Sequence, residues 1–483
     1  MITHKGSVDS LTTSVLSLQE QRAILRQLRS DLLRRYRPHI QEGPGPIRVM
    51  ARLVAELEQE CRKRRISWEV IQAEIVNRTI GDVNMRLVTE YEGEPCNLKD
   101  YRCLADELGV ALPGENLHGY IATGETYRWL HDQVMECERL LLARNYDPRI
   151  YDIYGVGNPV LREWLAQDMQ QQWNIPASSE QLYLGLGAMD CIDKVLRGMA
   201  AMYREQQAGE FGILFPEPGF GVPEWQARSC GYNLHCFPTL EEHRFKLMPA
   251  QLDDILQQAP DIRLIYLTVT NNPTTFAYTP EELRALHGVL RRYREQGRDI
   301  YILADLAYIG TGKPEEDIAR MATFAPPVVF QHTIFVSSFS KTFSLTGERF
   351  GWVTCGNPDI ARAISPAWSN SMASLPGEWQ LRFMAYHRLL QARPWLAEKM
   401  RAFYRLRRQR FIAQLQHLND ELHLFSEVYL DDDATVYNWS KLAPGEDAFS
   451  LFEKTGIAGV PGSGFGYSDD YIRFSIGVIP ITS

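Results

Sequence analysis

One lysine stands where an apolar run gives way to small hydroxyl residues. Lys341 follows the run Thr333–Val336, with Ser338 and Ser340 just before it and Arg349 eight positions after it. A lysine that is partly withdrawn from water loses its proton more easily and attacks carbonyl groups. The pattern therefore indicates covalent catalysis beside an anion site, although a surface lysine in a polar loop would show the same local sequence.

Two further stretches place suitable groups directly after apolar runs. Gly187, Ala188 and Met189 open a helix after Leu182–Leu186, where backbone N–H groups can hold a phosphate. Phe220 follows a proline-rich turn and could stack on a planar ligand. Both patterns also occur without any ligand, as a glycine before a helix and as a core phenylalanine after a turn.

Four polar residues lie next to or within apolar strands: Asn272, Asp305, Tyr308 and Arg473. The proline after Asn272 keeps that residue out of the helical region and directs its amide toward the strand end. A carboxylate such as Asp305 is costly there unless a positive group meets it. Arg473 lies in the apolar stretch Tyr471–Ile476, where its guanidinium could bind a carboxylate with two hydrogen bonds. The alternatives are an Asn-Pro turn, a capping aspartate and a structurally paired arginine.

The order of elements predicts a common edge for these residues. Apolar strands alternate with amphipathic helices, which is typical of a mostly parallel sheet with helices on both faces. Ligands bind such α/β sheets beyond the carboxyl ends of the strands. The predicted strands are Gln181–Leu186, Phe211–Phe215, Ile262–Thr268, Ile300–Ala304, Thr333–Ser337 and Gly351–Cys355.

The chain divides into three predicted parts: a helical extension over residues 1–112, a large domain over 113–375 and a small α+β domain over 376–483. The extension is arginine-rich, but the helix breaker Ala111–Gly114 stands where a DNA-recognition helix would begin, so DNA binding is not expected. Its predicted helices are Val15–Tyr36, Ile47–Arg64, Trp68–Asn77 and Leu98–Leu108.

The bulk composition excludes several classes of function. The 483 residues include 51 basic and 60 acidic side chains, a formal charge of −9, which argues against binding to nucleic acid or to an anionic membrane. Eight cysteines are scattered without a CxxC pair or metal-ligand spacing, so we expect reduced thiols and no metal site. No apolar run is long enough to span a bilayer, and we expect a soluble, cytoplasmic protein.

Taken in order, the motifs resemble those of the class I/II aminotransferases among the fold-type I pyridoxal-phosphate enzymes, over roughly residues 115–480. The stretches that carry the resemblance are YGVGNPVLR, LGLGAMD, PEPGFG, NNPTT, DLAY, SSFSKTFSLTGERFGW, VPGSGFG and YIRFSIG. The most specific are SxSK with an arginine eight positions later, and DxAY one strand before it. The resemblance implies a mixed sheet of the seven-stranded type with helices on both faces.

The resemblance also implies pyridoxal 5′-phosphate as the cofactor. Lys341 matches the lysine that forms the Schiff base and then moves the proton, and Asp305 matches the partner of the pyridine nitrogen. Asn272 and Tyr308 match the donors to the phenolic oxygen, and Phe220 matches the aromatic residue that stacks on the ring. The implied catalytic residues are therefore Lys341, Asp305 and Tyr308.

The resemblance also implies residues that bind two anionic groups, the substrate α-carboxylate and the cofactor phosphate. Arg473 matches the arginine that binds the substrate α-carboxylate, with Asn272 beside it and Gly119 in the loop that closes over it. Tyr154 matches a tyrosine that reaches the phosphate of a neighbouring subunit. The phosphate of the cofactor would be held by Gly187, Ala188, Met189, Ser338, Ser340 and Arg349.

The activity implied is transamination between an α-amino acid and a keto acid by a homodimer. Two alternatives stay open: a lyase, cyclase or decarboxylase with the same cofactor site, and a ligand-sensing regulator without catalysis. The choice among the enzymes depends on which Cα bond is held perpendicular to the ring, which the sequence does not show. Residues 1–112 are not part of the family pattern, and we expect them to pack on the small domain or on a dimer interface in place of the family's closing helix.

Overall fold

The structure is a computed structural model that describes residues 16–39, 46–79, 81, 122–207, 209–430 and 436–476. The α-helices in these ranges are α1 Leu18–Tyr36, α2 Pro46–Lys63, α3 Trp68–Glu74, α4 Ala122–Ala143, α5 Pro159–Trp173, α6 Ala188–Glu205, α7 Val222–Ser229, α8 Pro249–Gln258, α9 Pro280–Glu295, α10 Pro314–Ala322, α11 Pro327–Phe330, α12 Pro358–Ile364, α13 Pro366–Met372, α14 Gly377–Ala392, α15 Trp395–Leu422 and α16 Ala448–Thr455. None of these described helices is long and apolar enough to cross a membrane.

The strands of the described ranges form one large sheet and two smaller ones. The large sheet has the order β2-β8-β7-β6-β5-β3-β4, and β8 is antiparallel to both of its neighbours while the other pairings are parallel. This confirms the predicted α/β fold with a mixed, mostly parallel sheet of seven strands. The strands are β1 Val76–Asn77, β2 Leu182–Leu186, β3 Gly212–Glu217, β4 Asn233–Pro238, β5 Ile262–Thr268, β6 Tyr301–Asp305, β7 Thr333–Ser338, β8 Phe350–Cys355, β9 Phe425–Val428, β10 Tyr437–Leu442, β11 Ile457–Ala458, β12 Val460–Pro461 and β13 Tyr471–Ser475.

The centre of the large sheet is buried on both faces. Every residue of β6, β7 and β8 is buried, which is why these strands read as continuous apolar runs. In β7, Ile334 and Val336 pack into a core with helices α6 and α12, whereas Phe335 packs on the other face with helices α8 and α9. Side chains alternate between the two faces of a strand, so both helical layers are anchored by the same strand.

The small domain is built on an antiparallel sheet of order β12-β13-β10-β9. The long helix α15 packs on it through Phe411 and Leu415, which share a core with Ile472 and Phe474 of β13. The helical stretch before the sheet divides into α14 and α15 at Arg393-Pro394, where proline cannot donate the next helical hydrogen bond.

Helices α1, α2 and α3 pack on the small domain. Their apolar faces share a buried core with Phe449 and Phe452 of α16. Arg29 fixes the contact with two hydrogen bonds of 2.9 Å, from Nη1 to the carbonyl of Glu74 and from Nη2 to that of Glu453. Packing of the extension on the small domain agrees with the expectation from sequence, while the boundaries at residues 112 and 375 remain predictions.

The third predicted helix is shorter than expected. It ends at Glu74, and Val76–Asn77 instead forms β1, which pairs in parallel with β11 of the small domain. β-branched Ile75 and Val76 favour the extended backbone at that point. After β1 the chain reaches the end of β7, where the Gly81 carbonyl accepts a hydrogen bond from Lys341. The predicted helix Leu98–Leu108 lies outside the described residues.

Candidate active site

A cavity of about 580 Å³ opens at the carboxyl ends of β5, β6 and β7. It lies between the large sheet and the small domain, the position expected for a ligand site in an α/β sheet. Its lining includes eleven residues predicted from the sequence: Ala188, Met189, Phe220, Asn272, Asp305, Tyr308, Ser338, Ser340, Lys341, Arg349 and Arg473.

Lys341 follows β7 and is half-buried. Its Nζ donates a hydrogen bond to the backbone carbonyl of Gly81. Ser338, the last residue of β7, is buried, and its Oγ has no hydrogen-bond partner in the described structure. A buried hydroxyl without a partner is costly, so Ser338 has an unused donor directed into a site that contains a candidate nucleophile.

Asp305 is a buried carboxylate at the end of β6. It accepts hydrogen bonds from the Tyr266 hydroxyl at 2.6 Å and from the Ala307 N–H at 2.9 Å. Burial raises the pKa of Asp305 above its usual range, although both hydrogen bonds oppose that shift. No cationic side chain of the described residues lies within ion-pair distance of it, so the carboxylate is suited to a cationic group on a ligand.

An anion site is formed where α6 begins. Gly187 is the N-cap of α6 and has φ +82°, a conformation that favours glycine. A Cβ added there would lie 2.4 Å from Nη2 of Arg349. Arg349 donates to the carbonyl of Thr346 at 3.0 Å, and its other Nη lies 3.4 Å from that of Leu186. The helix N-terminus and the guanidinium together favour a phosphate.

Arg473 links the small domain to the large sheet. It lies in β13, is 3% exposed, and donates from Nη1 to Oδ1 of Asn272 at 3.0 Å and from Nη2 to the Thr79 carbonyl at 2.9 Å. Its guanidinium carbon lies 4.3 Å from the ring centroid of Tyr437 and 4.9 Å from that of Phe465. These contacts hold the guanidinium in one orientation, and its Nε has no partner in the described structure.

Tyr437 is a site residue that sequence reasoning missed. It is buried in β10, and its hydroxyl lies 3.3 Å from that of Tyr308. Burial raises the pKa of Tyr437, but the charges of Lys341 and Arg473 and the hydrogen bonds with Tyr308 and Lys341 together outweigh it, so the net pKa shift is downward. An isolated tyrosine in an apolar strand reads as a core residue, and no local signal distinguishes this one.

The N-terminal part of the chain also contributes to the cavity. Thr79 and Gly81, just after β1, and Arg48 and Ala51 on α2 line it. A Cβ at Gly81 would lie 2.2 Å from the Tyr437 hydroxyl. A short apolar stretch that follows a helix and ends in glycine could have indicated this segment. A two-residue strand such as β1 is too short, however, to show the alternation of apolar and polar residues by which strands are recognised.

Three predicted residues need separate mention. Gly187 lies against Arg349 and is not among the residues that line the cavity. Tyr154 is 71% exposed and is not among the lining residues; its loop also exposes Ile150, Tyr151 and Ile153. Its role toward a neighbouring subunit remains a prediction. Gly119 lies outside the described residues, and Gly81 is the glycine found next to Lys341.

Known proteins resemble this chain in fold and in sequence. The fold is similar to that of aspartate aminotransferase from Thermus thermophilus with maleate, with a TM-score of 0.64 and 19% identity, over 92% of this chain and 95% of that one. It is also similar to an aromatic aminotransferase from Pyrococcus horikoshii, with a TM-score of 0.60 and 22% identity, over 72% of this chain and 87% of that one.

Two curated relatives are less than one third identical to the chain over the residues that align. It is 29% identical to LL-diaminopimelate aminotransferase of Halothermothrix orenii, over 55% of this chain and 64% of that protein. It is 26% identical to a probable aspartate/prephenate aminotransferase of Aquifex aeolicus, over 66% of this chain and 77% of that protein. The chain thus spans somewhat less than two thirds of the first of these relatives. Residues 144–480 match the family described as aminotransferase class I and II, and the chain belongs to that family.

Proposed function

We propose that this chain is a pyridoxal-phosphate-dependent aminotransferase that exchanges an amino group between an α-amino acid and a keto acid. The observation that carries the proposal is the meeting of Lys341, Asp305 and Arg473 in one cavity. An amine, a carboxylate without a cation and an oriented guanidinium are the groups that a pyridinium cofactor and an amino acid require. The relatives are named for different amino donors, so their names support the reaction and not a particular substrate.

The described residues fit the cofactor. The Asp305 carboxylate, which has no cation of its own among them, would pair with the pyridine N–H. The unused Ser338 hydroxyl, Arg349 and the first N–H groups of α6 would hold the phosphate. Phe220 would cover one face of the ring, and Tyr308 would donate to the phenolic oxygen. When bound, the ring supplies a sink for the electrons left by the bond that breaks at the substrate Cα.

The chain's own residues then perform the remaining tasks. Arg473 binds the α-carboxylate and, because Asn272 and Thr79 hold its two Nη atoms, fixes the substrate in one orientation. Lys341 Nζ would move the proton at the substrate Cα, which requires that it leave the Gly81 carbonyl to which it donates. Thr79 and Gly81 of the N-terminal part and Tyr437 and Arg473 of the small domain line the cavity and would limit the access of water to this transfer.

We also propose a homodimer. Support comes from the loop that includes Ile150, Tyr151, Ile153 and Tyr154, whose large apolar side chains are between 67% and 77% exposed. Four neighbouring exposed apolar residues are unusual on a monomer and typical of an interface. Sedimentation velocity on the protein and on an Ile153→Asp variant tests this, with a shift to monomer expected in the variant. A wild-type monomer at micromolar concentration contradicts it.

An amino-donor screen tests the reaction. The purified protein should absorb near ~420 nm through the lysine–cofactor link, and borohydride should remove the band and leave the label on Lys341. Addition of the right amino acid should convert the band to the pyridoxamine form and yield a keto acid. Reversal by a keto acid distinguishes transamination from lyase, cyclase or decarboxylase chemistry.

Two variants complete the test. Lys341→Ala should lose the band and the turnover, whereas Lys313→Ala, whose lysine is partly exposed and pairs with Glu316 outside the cavity, should keep both. Turnover of amino acids by Lys341→Ala would refute the assignment.

A further inference from the structure

Helix α2 has two functionally different faces. Met50, Leu53, Val54 and Leu57 are fully buried against α1 and α16. Arg48 and Ala51, three positions apart and therefore on one side of the helix, line the cavity instead. The buried face thus fixes the position from which Arg48 reaches the cavity.

Cationic side chains outnumber anionic ones in the lining of the cavity. Among the described lining residues, Arg48, Lys341, Arg349 and Arg473 are cationic, and Asp305 is the one anion. Such a cavity attracts anionic ligands and holds them more strongly than an exposed surface would.

Three of the four cationic side chains form hydrogen bonds with described residues and have a role in the proposed reaction. Arg473 is held by Asn272 and Thr79 and is placed for an α-carboxylate, Arg349 lies at the phosphate site, and Lys341 is the nucleophile. Arg48 makes no hydrogen bond or ion pair with any described residue, and its side chain is exposed toward the cavity.

We propose that Arg48 binds a carboxylate on the side chain of the amino donor, so that the enzyme selects acidic amino acids such as aspartate or glutamate. This inference rests on the proposed aminotransferase function and adds its substrate class. The planar guanidinium can bind a carboxylate with two hydrogen bonds, and the small side chain of Ala51 leaves room beside it. The N-terminal extension then determines specificity as well as packing on the small domain.

The binding test compares two four-carbon acids on the full-length, cofactor-loaded protein by calorimetry at constant ionic strength. Succinate has two carboxylates and can engage both Arg473 and Arg48, whereas butyrate has one and can engage Arg473 alone. The wild type is expected to bind succinate roughly 10- to 100-fold more tightly, the range for a hydrogen-bonded charged pair.

Two variants separate Arg48 from the general charge of α2. Arg48→Gln should bind both acids equally, while Arg52→Gln, on the same helix and exposed but outside the cavity lining, should keep the wild-type preference. Both arginines are exposed, so neither change disturbs the core. A succinate preference that survives Arg48→Gln, or one that both variants lose equally, overturns the proposal.

Failure of this inference is distinguishable from failure of the proposed reaction. A protein that prefers succinate through Arg48 but converts no amino acid retains the carboxylate site and refutes transamination. A protein that transaminates alanine as efficiently as aspartate refutes the Arg48 proposal alone.

Discussion

The Tyr266 hydroxyl donates to Oδ2 of Asp305 at 2.6 Å, across the neighbouring strands β5 and β6. Both side chains are buried, so a neutral donor supports a carboxylate that no described cation compensates. Burial raises the pKa of Asp305 by more than the hydrogen bond from Tyr266 lowers it, so the net pKa shift is upward. The folded protein therefore bears an electrostatic cost at this position, which a cationic ligand would remove.

Asp305→Asn should stabilise the cofactor-free protein. A raised pKa means that the folded state binds the proton more tightly, so stability falls as the pH rises above the carboxyl's unfolded pKa of about 3.9. Removal of the charge abolishes that loss. Urea unfolding at pH 7.5 should show a higher midpoint for the variant, and the difference should shrink as the pH falls below about 3.9, where the carboxyl becomes mostly protonated in both states.

The same variant should lose activity. Without the carboxylate the pyridine nitrogen is no longer held protonated, and turnover is expected to fall by about 100-fold or more. A Tyr266→Phe variant, which keeps the carboxylate, should lose much less. Unchanged turnover in Asp305→Asn would contradict the assigned role.

Tyr437→Phe should reduce kcat with little effect on KM. Its hydroxyl lies next to the Tyr308 hydroxyl and the Lys341 amine, so its loss affects proton transfer, whereas the ring that supports Arg473 remains. A decrease of about 10-fold corresponds to one lost hydrogen bond of about 1.4 kcal/mol. Tyr429→Phe, whose hydroxyl contacts Glu241 outside the cavity, is the control. A rise in KM alone would indicate a binding role instead.

Gly187→Ala should weaken cofactor binding. The new methyl group would collide with Arg349 at the phosphate site, in addition to the strain of a positive φ. Gly297→Ala has nearly the same φ of +85° and open space around it, so it isolates the strain of about 1 kcal/mol. Both variants should be less stable, but Gly187→Ala alone should raise the cofactor Kd, by about 10-fold. An equal Kd in the two variants would remove Gly187 from the phosphate site.

The free energy of unfolding of the His287→Leu variant should fall less steeply than that of the wild type as the pH decreases. His287 packs edge-on against Phe324, and burial lowers its pKa to about 3. The unfolded chain takes up a proton near pH 6.5 and the folded chain does not, so this residue costs stability as the pH falls from 6.5 toward 3, by up to about 1.4 kcal/mol per pH unit. Urea unfolding between pH 4.5 and 7 measures this slope, with exposed His417→Leu as the control. Equal slopes in both variants would contradict the shift.

The sequence predicted the strands inside the large sheet and the edge strand β2, but missed β4 at the opposite edge. β5, β6 and β7 are buried and read as apolar runs, and the predicted bounds of each agree with the observed ones within one or two residues. β4, Asn233–Pro238, is partly exposed and ends in proline, as edge strands often do. Its pattern is that of a loop, and only its pairing with β3 makes it a strand.

The same distinction applies to the candidate site. Asp305, Asn272 and Lys341 follow apolar strands, and the general rule for α/β sheets suffices to predict that they lie at one edge. Gly81 contacts Lys341, and Arg48 lines the same cavity, only because α2 and β1 pack on the small domain. Contacts between such distant segments depend on tertiary packing, which no local pattern encodes.

The bond from Arg29 to the Glu453 carbonyl joins residues 424 positions apart. At a synthesis rate of about 5 to 20 residues per second, the ribosome needs on the order of 20 to 80 s to make the second partner after the first. During that interval helices α1 and α2 have emerged without Phe449 and Phe452, which complete the core that buries their leucines. The nascent chain therefore presents a long-lived target for chaperones, and protein yield in cells should respond to their abundance more than equilibrium stability does.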